Sequence, residues 1–523
     1  MPWDPEFIER LSLGGEPMFA LDFRNVANPE HFDFRPERYI LHSHSISGGD
    51  HIPDVLLSVS GPTQSVQLRD WQQNIGSIRA TLSGVEHAYW IARTIPRGLM
   101  CRLRVGFAGM PYDTWGDIGT YQYHGLSGSR NQWQIEFGDF FSYMKSRSAS
   151  ASYEDLFPDA GTSKTIASNY ATGDTSITFA SAGDRSVFTR ESSASGLCYC
   201  QPTDAPAFYL KHTGESGANL TVTATNVIGT TRAAMKTSDG DTVTALGYIN
   251  DDLPDILEKL LFRNTTAVGT MPDDSNMGFW WDANTVDRDD WIRHSNRLAV
   301  IGGFSADFIA PEPLTNPWAA ISDFIAAFGM WMVVRQGRLS WRAVYDIAGD
   351  TTKPIYVEDE ITDIDIVSVE NQQLYHPDAP VQFNAVKFPL TSYGDGEPST
   401  MPLNEQLIHS SGNHVFDEGS ATTNRAAASA HLRLRLIKWY TRLPMSLTLN
   451  LIGWRWATLV PGDVVRVRSN QIVDLMSATS SLVADYKTIS GVNFLVTSVG
   501  PDFQNFTTTV ELARLPDTAN PYA

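Results

Sequence analysis

Short runs in which apolar and polar residues alternate, each closed by glycine or a polar turn, recur along this chain and commit much of it to extended strands. PDVLLSVSG (53–61), IGSIRATLSG (75–84), LMCRLRVGFAG (99–109), YQYHGLSG (121–128) and NQWQIEFGDF (131–140) follow one another near the N-terminus. In the third run Cys101, Leu103, Val105 and Phe107 share a face opposite Arg102 and Arg104, as in the wall of a barrel or sandwich. ATLVPGDVVRVRS (457–469) adds a tight turn. There Pro461 presets φ, and Gly462 accepts the positive φ of a type II turn. Val465 and Val467 then point one way, and Val464, Arg466 and Arg468 the other.

Composition agrees with a strand-rich, multidomain chain. Its 523 residues exceed what one hydrophobic core holds, and 39 glycines, 28 prolines and 57 aromatics (14 Trp, 18 Tyr, 25 Phe) suit short strands joined by turns. With 42% apolar and 19% charged residues, disorder is not expected. A net charge of −20 with no Lys/Arg block argues against a sequence-independent nucleic-acid binder, while an acidic surface repels DNA. Three cysteines cannot build a disulfide framework. MPWDPEFIER carries no signal-peptide pattern, and no run of ~20 apolar residues offers a membrane-spanning segment.

The texture of the chain changes along its length, and four parts are expected. Residues 1–150 read as an N-terminal β-barrel, and 151–245, small, polar and rich in Gly and Thr, as an inserted β-domain. Residues 246–350 read as an α+β unit. There DDLPDILEKLLFRN offers Asp252 as N-cap, Pro254 in the first turn and a stripe of Ile256, Leu257, Leu260 and Leu261. NPWAAISDFIAAFGMWMVVRQGRLSWRAV follows, a helix from Asn316 to a stop at Gly329, then a hairpin turning at Gln336-Gly337. Residues 351–523 read as a second barrel with a helix at 422–440. The fold class is mostly β with α+β parts, its two barrels antiparallel.

Candidate chemistry is sparse. ILHSHSISGGDH gathers His42, His44, Asp50 and His51, a set that could begin a zinc or iron site, although Ser-Gly-Gly-Asp is an ordinary loop whose histidines are solvated. Cys198 and Cys200 would share a strand face, either as half a metal site or as small apolar residues. Glu358, Asp359, Glu360, Asp363 and Asp365 could supply a glycosidase pair or form a solvated acidic face. GFWWDAN (278–284) could stack on sugar rings or pack between domains. Nucleophile elbows, zinc-protease motifs, P-loops and dinucleotide fingerprints do not occur, so no catalytic residue and no cofactor are expected.

The order of parts is itself informative. IRATLSG, CRLRVGFAG and WQIEFGDF, then a Gly/Thr insert, DDLPDILEKLLF, the helix-and-hairpin unit, NAVKF, a helix and strand, and LVPGDVVRVRS before two closing strands resemble bacteriophage tail proteins. The resemblance is to the central hub of the tail tip or baseplate in long-tailed phages and related prophage or gene-transfer particles. It implies a homotrimer whose two barrels per subunit make a pseudo-sixfold ring, joining a sixfold tail tube to a threefold spike or fibre. Implied partners are a distal tail or tube protein, a tape-measure protein and a central spike or tail fibre protein, with genomic DNA passing through unbound during ejection. The implied place is the tail tip of a virion assembled in the host cytoplasm. Two alternatives stand beside it: a receptor-binding or fibre-attachment tail protein, and a tail-associated cell-wall hydrolase.

Overall fold

A computed structural model describes residues 7, 9–10, 17–23, 39–42, 51–52, 56–61, 63–67, 73–95, 97–129, 132–138, 157, 159–171, 173–188, 196–205, 207–226, 236–262, 286–301, 305–310, 312–313, 318, 321–322, 324–325, 329–336, 338–343, 357–373, 385–388, 399–402, 415–417, 445–453, 455–474, 488–502 and 505–515. The chain is mostly β and built of several sheets. The helix expected at 422–440 and the aromatic run at 278–284 lie outside the described residues.

The alternating runs of the N-terminal part form strands β1 (Pro17–Phe23), β2 (Tyr39–His42), β3 (His51–Ile52), β4 (Leu56–Val59), β5 (Gln64–Val66), β6 (Gln73–Ile75), β7 (Arg79–Ser83), β8 (Met100–Phe107), β9 (Gly116–Ser129) and β10 (Gln132–Gly138), with helix α1 (Val85–Thr94) after β7. One sheet takes the order β3-β2-β1-β8-β9-β10-β7-β4. It curls until β4 lies against β1. Cys101, Leu103, Val105 and Phe107 fill its interior, together with Leu21, Phe23, Ile135 and Phe137. Arg102 and Arg104 turn outward to Asp117, as their alternation requires.

The insert holds β11 (Ser163–Thr165), β12 (Tyr170–Ala171), β13 (Ser176–Thr178), the short α2 (Ala182–Ser186), β14 (Gly196–Gln201), β15 (Phe208–Ser216), β16 (Asn219–Asn226), β17 (Lys236–Thr237) and β18 (Thr242–Asp252). Its main sheet runs β11-β18-β14-β15-β16-β13. Cys198 and Cys200 point into one core with Tyr170, Phe179, Phe208 and Leu210. β18 continues through position 245, where the composition changes, and leads straight into α3 (Leu253–Phe262). Of the expected stripe, Ile256, Leu257 and Leu260 are fully buried, and the side chain of Leu261 lies outside the described residues.

Helix α4 (Arg288–Ile301) and strands β19 (Ser305–Ala310), β20 (Met330–Arg335) and β21 (Arg338–Ala343) follow. β19 adds to β18. Trp318, Ile321, Phe324 and Ile325 are helical and buried. Gly329, at φ 62°, ends that segment, and the hairpin turns through Gln336 at φ 50°. This two-stranded ribbon is buried on both faces, so the apolar residues of β20 run together, while those of β21 still alternate with Arg338, Ser340 and Arg342.

The C-terminal part contains β22 (Asp359–Thr362), β23 (Ile366–Gln373), a small sheet of β24 (Ala385–Phe388), β25 (Ser399–Pro402) and β26 (Val415–Asp417), then β27 (Ser446–Ile452), β28 (Val464–Val473), β29 (Thr488–Asp502) and β30 (Thr507–Arg514). Its main sheet runs β22-β28-β29-β30-β27-β23. The chain passes from β22 to β23 by the turn at 363–365, so the two ends of this order lie close together. Gln372 Nε2 also donates to Val473 O at 2.6 Å, tying β23 to the far end of β28. Met445, Leu447, Leu449, Val465, Val467 and Phe494 line the interior.

The two rolled sheets share one topology. Numbering β1, β4, β7, β8, β9 and β10 from one to six, and β22, β23, β27, β28, β29 and β30 likewise, gives the spatial order 1-4-5-6-3-2 in both. They differ in the first strand: β1 runs antiparallel to β8, whereas β22 runs parallel to β28. They also differ between the third and fourth strands, where α1 stands in one and a 3-10 turn, Arg455–Thr458, in the other. No helix among the described residues is long and apolar enough to cross a membrane.

Candidate functional site

The densest polar constellation sits where the β20–β21 ribbon meets α4 and the turn before β28. Asp287 caps α4, its Oδ1 accepting the Asp290 amide at 3.3 Å, and this places Asp290 in the first helical turn facing the ribbon. Val460 to Asp463 form the expected turn: Asp463 N–H donates to Val460 O at 3.0 Å, and Gly462 has φ 104°. Trp331 Nε1–H donates to Pro461 O at 3.0 Å. A Cβ on Gly462 would stand 2.6 Å from Arg342 Cγ and 2.7 Å from Trp331 Cζ2, so the turn needs glycine for its backbone and for its packing.

Arg342, 1% exposed, links both sides of this joint. Its Nε and Nη2 donate to Asp463 Oδ1 at 3.0 and 2.8 Å, its Nη1 to Asp290 Oδ2 at 2.6 Å and to Trp341 O at 2.9 Å. Asp290 also accepts from Ser340 Oγ at 2.6 Å, Arg335 Nη1 at 2.8 Å and Arg293 Nη2. Glu358 completes the set, 2.8 Å from Arg293 Nη2 and 3.7 Å from Arg335 Nη2. Three arginines thus face three carboxylates. Burial by itself would raise the Asp290 pKa, but the charges of Arg342, His294, Arg335 and Arg293 outweigh it and hold the carboxyl well below its ordinary value. Burial and nearby Asp463 push Glu358 the other way, upward.

Gln64 ties the N-terminal part to the same place. Its amide donates to Val334 O at 2.8 Å and accepts from Val334 N at 3.2 Å, as a neighbouring strand would. β5 meanwhile pairs with β29, Gln64 opposite Val499. β5 and β6 thus extend the C-terminal sheet, and the ribbon reaches the N-terminal rolled sheet through β20, which lies beside β9.

Ser340, His294 and Asp290 make a nucleophile-base-acid set in composition only. Ser340 donates directly to Asp290, His294 Nε2 lies 3.7 Å from the same carboxylate, and Ser340 is fully buried. A nucleophile needs the base on its hydroxyl and a path for substrate, and this serine has neither. The arrangement is a mechanical joint.

The residues singled out in the sequence are dispersed. His42 ends β2 and His51 begins β3, and the two strands run parallel with Ile40 opposite His51. The side chains of His42 and His51, and all of His44 and Asp50, lie outside the described residues. Among the described residues no group of three or more His, Cys, Asp or Glu is placed to hold a metal. Each carboxylate of the acidic run has its own partner. Asp359 meets Arg455 Nη2 at 2.6 Å, Glu360 meets Arg468 Nε at 3.0 Å, Asp363 accepts from Ser469 Oγ and from Asn470 N at 3.0 Å, and Asp365 accepts from Thr362 N at 2.9 Å. They pin strand ends rather than face one cleft. Asp290, Arg342 and Asp463 were not legible as a set, although Arg342 between Trp341 and Ala343 in a strand was the available signal.

No protein-family model matches the chain, and no curated protein does. Among solved structures it is similar to the 43 kDa tail protein of prophage MuSo2 from Shewanella oneidensis, with 11% identity and a TM-score of 0.36 over 89% of this chain and 96% of that one. It is also similar to a chain in the virion of a native gene transfer agent particle, with 11% identity and a TM-score of 0.20 over 46% of this chain and 84% of that one.

Proposed function

We propose that this chain is a structural virion protein, the trimeric hub of a tail tip or baseplate, in which residues 1–150 and 351–523 supply the two ring-forming barrels. The observation that carries the reading is the strand order 1-4-5-6-3-2 occurring twice in one chain. A subunit with two like-folded barrels presents six similar units when three copies close a ring, and such a ring meets a sixfold tube on one side and a threefold spike or fibre on the other. The buried joint suits this role, because a symmetry adaptor must keep its two barrels in fixed relation. A net charge of −20 suits a DNA exit channel that repels phosphate instead of binding it. In this reading no residue is catalytic and no cofactor is held. The neighbours are a tube or distal tail protein, a tape-measure protein and a spike or fibre.

Electron microscopy of the assembled particle tests it. The expected image has three copies around the tail axis, between tube and spike. Copies at the periphery of the tail would favour the receptor-binding or fibre-attachment role, and turnover of cell-wall glycan or peptide by the purified chain would favour the hydrolase.

A further inference from the structure

Six large apolar side chains among the described residues are more than half exposed: Ile364 at 88%, and Leu57, Val85, Tyr89, Val367 and Ile452 at 53% to 62%. They fall into two groups of three, one on each rolled sheet. Val85 and Tyr89 lie one turn apart on α1, whose opposite side packs Ala88 and Ile91 onto the sheet. Leu57 is close by, since its neighbour Leu56 pairs with Leu82 at the end of the strand that leads into α1. In the second group, Ile452 N–H donates to Asp365 O at 2.8 Å, which sets Ile452 beside Ile364, and Val367 follows on β23 where Ile366 pairs with Leu451.

The two groups differ in charge. Arg93 stands on the exposed side of α1, its Nη1 3.1 Å from the Tyr89 hydroxyl and its guanidinium 5.4 Å from the ring centroid, and exposed Arg97 follows the helix. Against these two cations the helix offers Glu86. Around the second group stand Asp363 and Asp365, on either side of Ile364, and exposed Glu370. One patch is apolar and basic, the other apolar and acidic.

We propose that these patches meet between copies of this chain, the Ile364 turn of one copy docking on the exposed face of α1 in the next. Two unlike patches on one chain give a head-to-tail contact, which closes into a ring when the rotation per step divides a full turn. The apolar groups supply area removed from water, and Arg93 and Arg97 set the register against Asp365 and Glu370. This rests on the ring reading above and specifies its interface.

The test compares the molar mass of the full chain, by sedimentation across a dilution series, with that of Tyr89→Asp and Ile364→Asp. Both substitutions fall on exposed positions, and circular dichroism checks that the fold persists. Each is expected to weaken self-association by about 10-fold or more. Mixing the two variants is expected to give a one-to-one complex that grows no further, because each retains the patch its partner lost. Variants with unchanged mass overturn the contact while leaving the ring reading intact. A Tyr89→Asp chain that still pairs with itself, or a mixture that gives no complex, also overturns it. A wild-type chain that stays a single copy at every concentration overturns both.

Discussion

Replacing Asp463 by alanine is expected to open the joint from its C-terminal side. The change removes the bonds that Arg342 Nε and Nη2 make at 3.0 and 2.8 Å, and the 3.0 Å bond from Val460 N to Asp463 Oδ2. Arg342 keeps Asp290 and Trp341 O, but three arginines then face two carboxylates in a place where Arg342 is 1% exposed. Two lost bonds to a charged group at about 1.5–3 kcal/mol each, or a broken buried pair at about 3–5 kcal/mol, give the same scale. A chain with several cores does not unfold in one step, so amide exchange is the appropriate assay. At about 1.4 kcal/mol per decade, protection falls by roughly 10²- to 10⁴-fold. The reporters are Gly462 N–H on Val496 O, Val496 N–H on Asp463 O, and Val334 N–H on Gln64. Amides of β14 to β16 are expected to keep their protection. A fall below about 3-fold at the joint, or an equal fall in the insert, would mean that Asp463 does not hold the joint closed. So would strict additivity with Arg342→Met, because removing the stranded cation together with its partner relieves the imbalance.

Gly462→Ala is expected to destabilise the same joint by about 2–4 kcal/mol, from positive φ plus overpacking against Arg342 and Trp331, read as an earlier loss of near-UV circular dichroism on heating. Arg468→Ala, which removes only an exposed pair with Glu360, is expected to change stability by no more than about 0.5 kcal/mol in the same assay. Burial pushes the His212 pKa down to about 4, so the unfolded chain binds the proton first, and the insert is expected to lose on the order of 3 kcal/mol as pH falls from ~6.5 to ~4. His212→Gln should flatten that slope in exchange measured against pH. Asp290 has the opposite timing: its lowered pKa contributes stability above the unfolded carboxylate value of ~3.9, so the joint outlasts the insert on acidification. Cys101 and Cys200, fully buried with thiols pushed up by burial, are expected to resist alkylation until denaturant is added.

What the sequence disclosed was local. The run around Cys101, Leu103, Val105 and Phe107, the turn at Pro461-Gly462, the stripe of α3 and the hairpin at Gln336 each carry their instruction within a few residues, and each is found in place. Strand order is different, because β1 reaches β8 and β27 reaches β30 through partners that no short window contains. Helix α1 was missed because Ala88 and Ile91 make a thin inward stripe beside the exposed Val85 and Tyr89. Helix α4 was missed because RDDWIRHS turns charged residues toward the protein interior. A buried arginine reads like a solvated one until its partners are known, and those of Arg342 lie 52 and 121 residues away.

Those separations order the events of synthesis. The ribbon leaves the ribosome with the apolar run of β20 uncovered and with Arg342 already able to pair with Asp290, 52 residues behind it. Its second carboxylate is encoded 121 residues later, which at roughly 5–20 residues per second means on the order of ten seconds of waiting. During that interval the rolled sheet of the N-terminal part can form, yet the surface meant for the C-terminal turn has nothing to cover it. The nascent chain therefore passes through a stage in which this ribbon is half sheltered, and a chaperone has an opportunity to act between the emergence of Arg342 and that of Asp463.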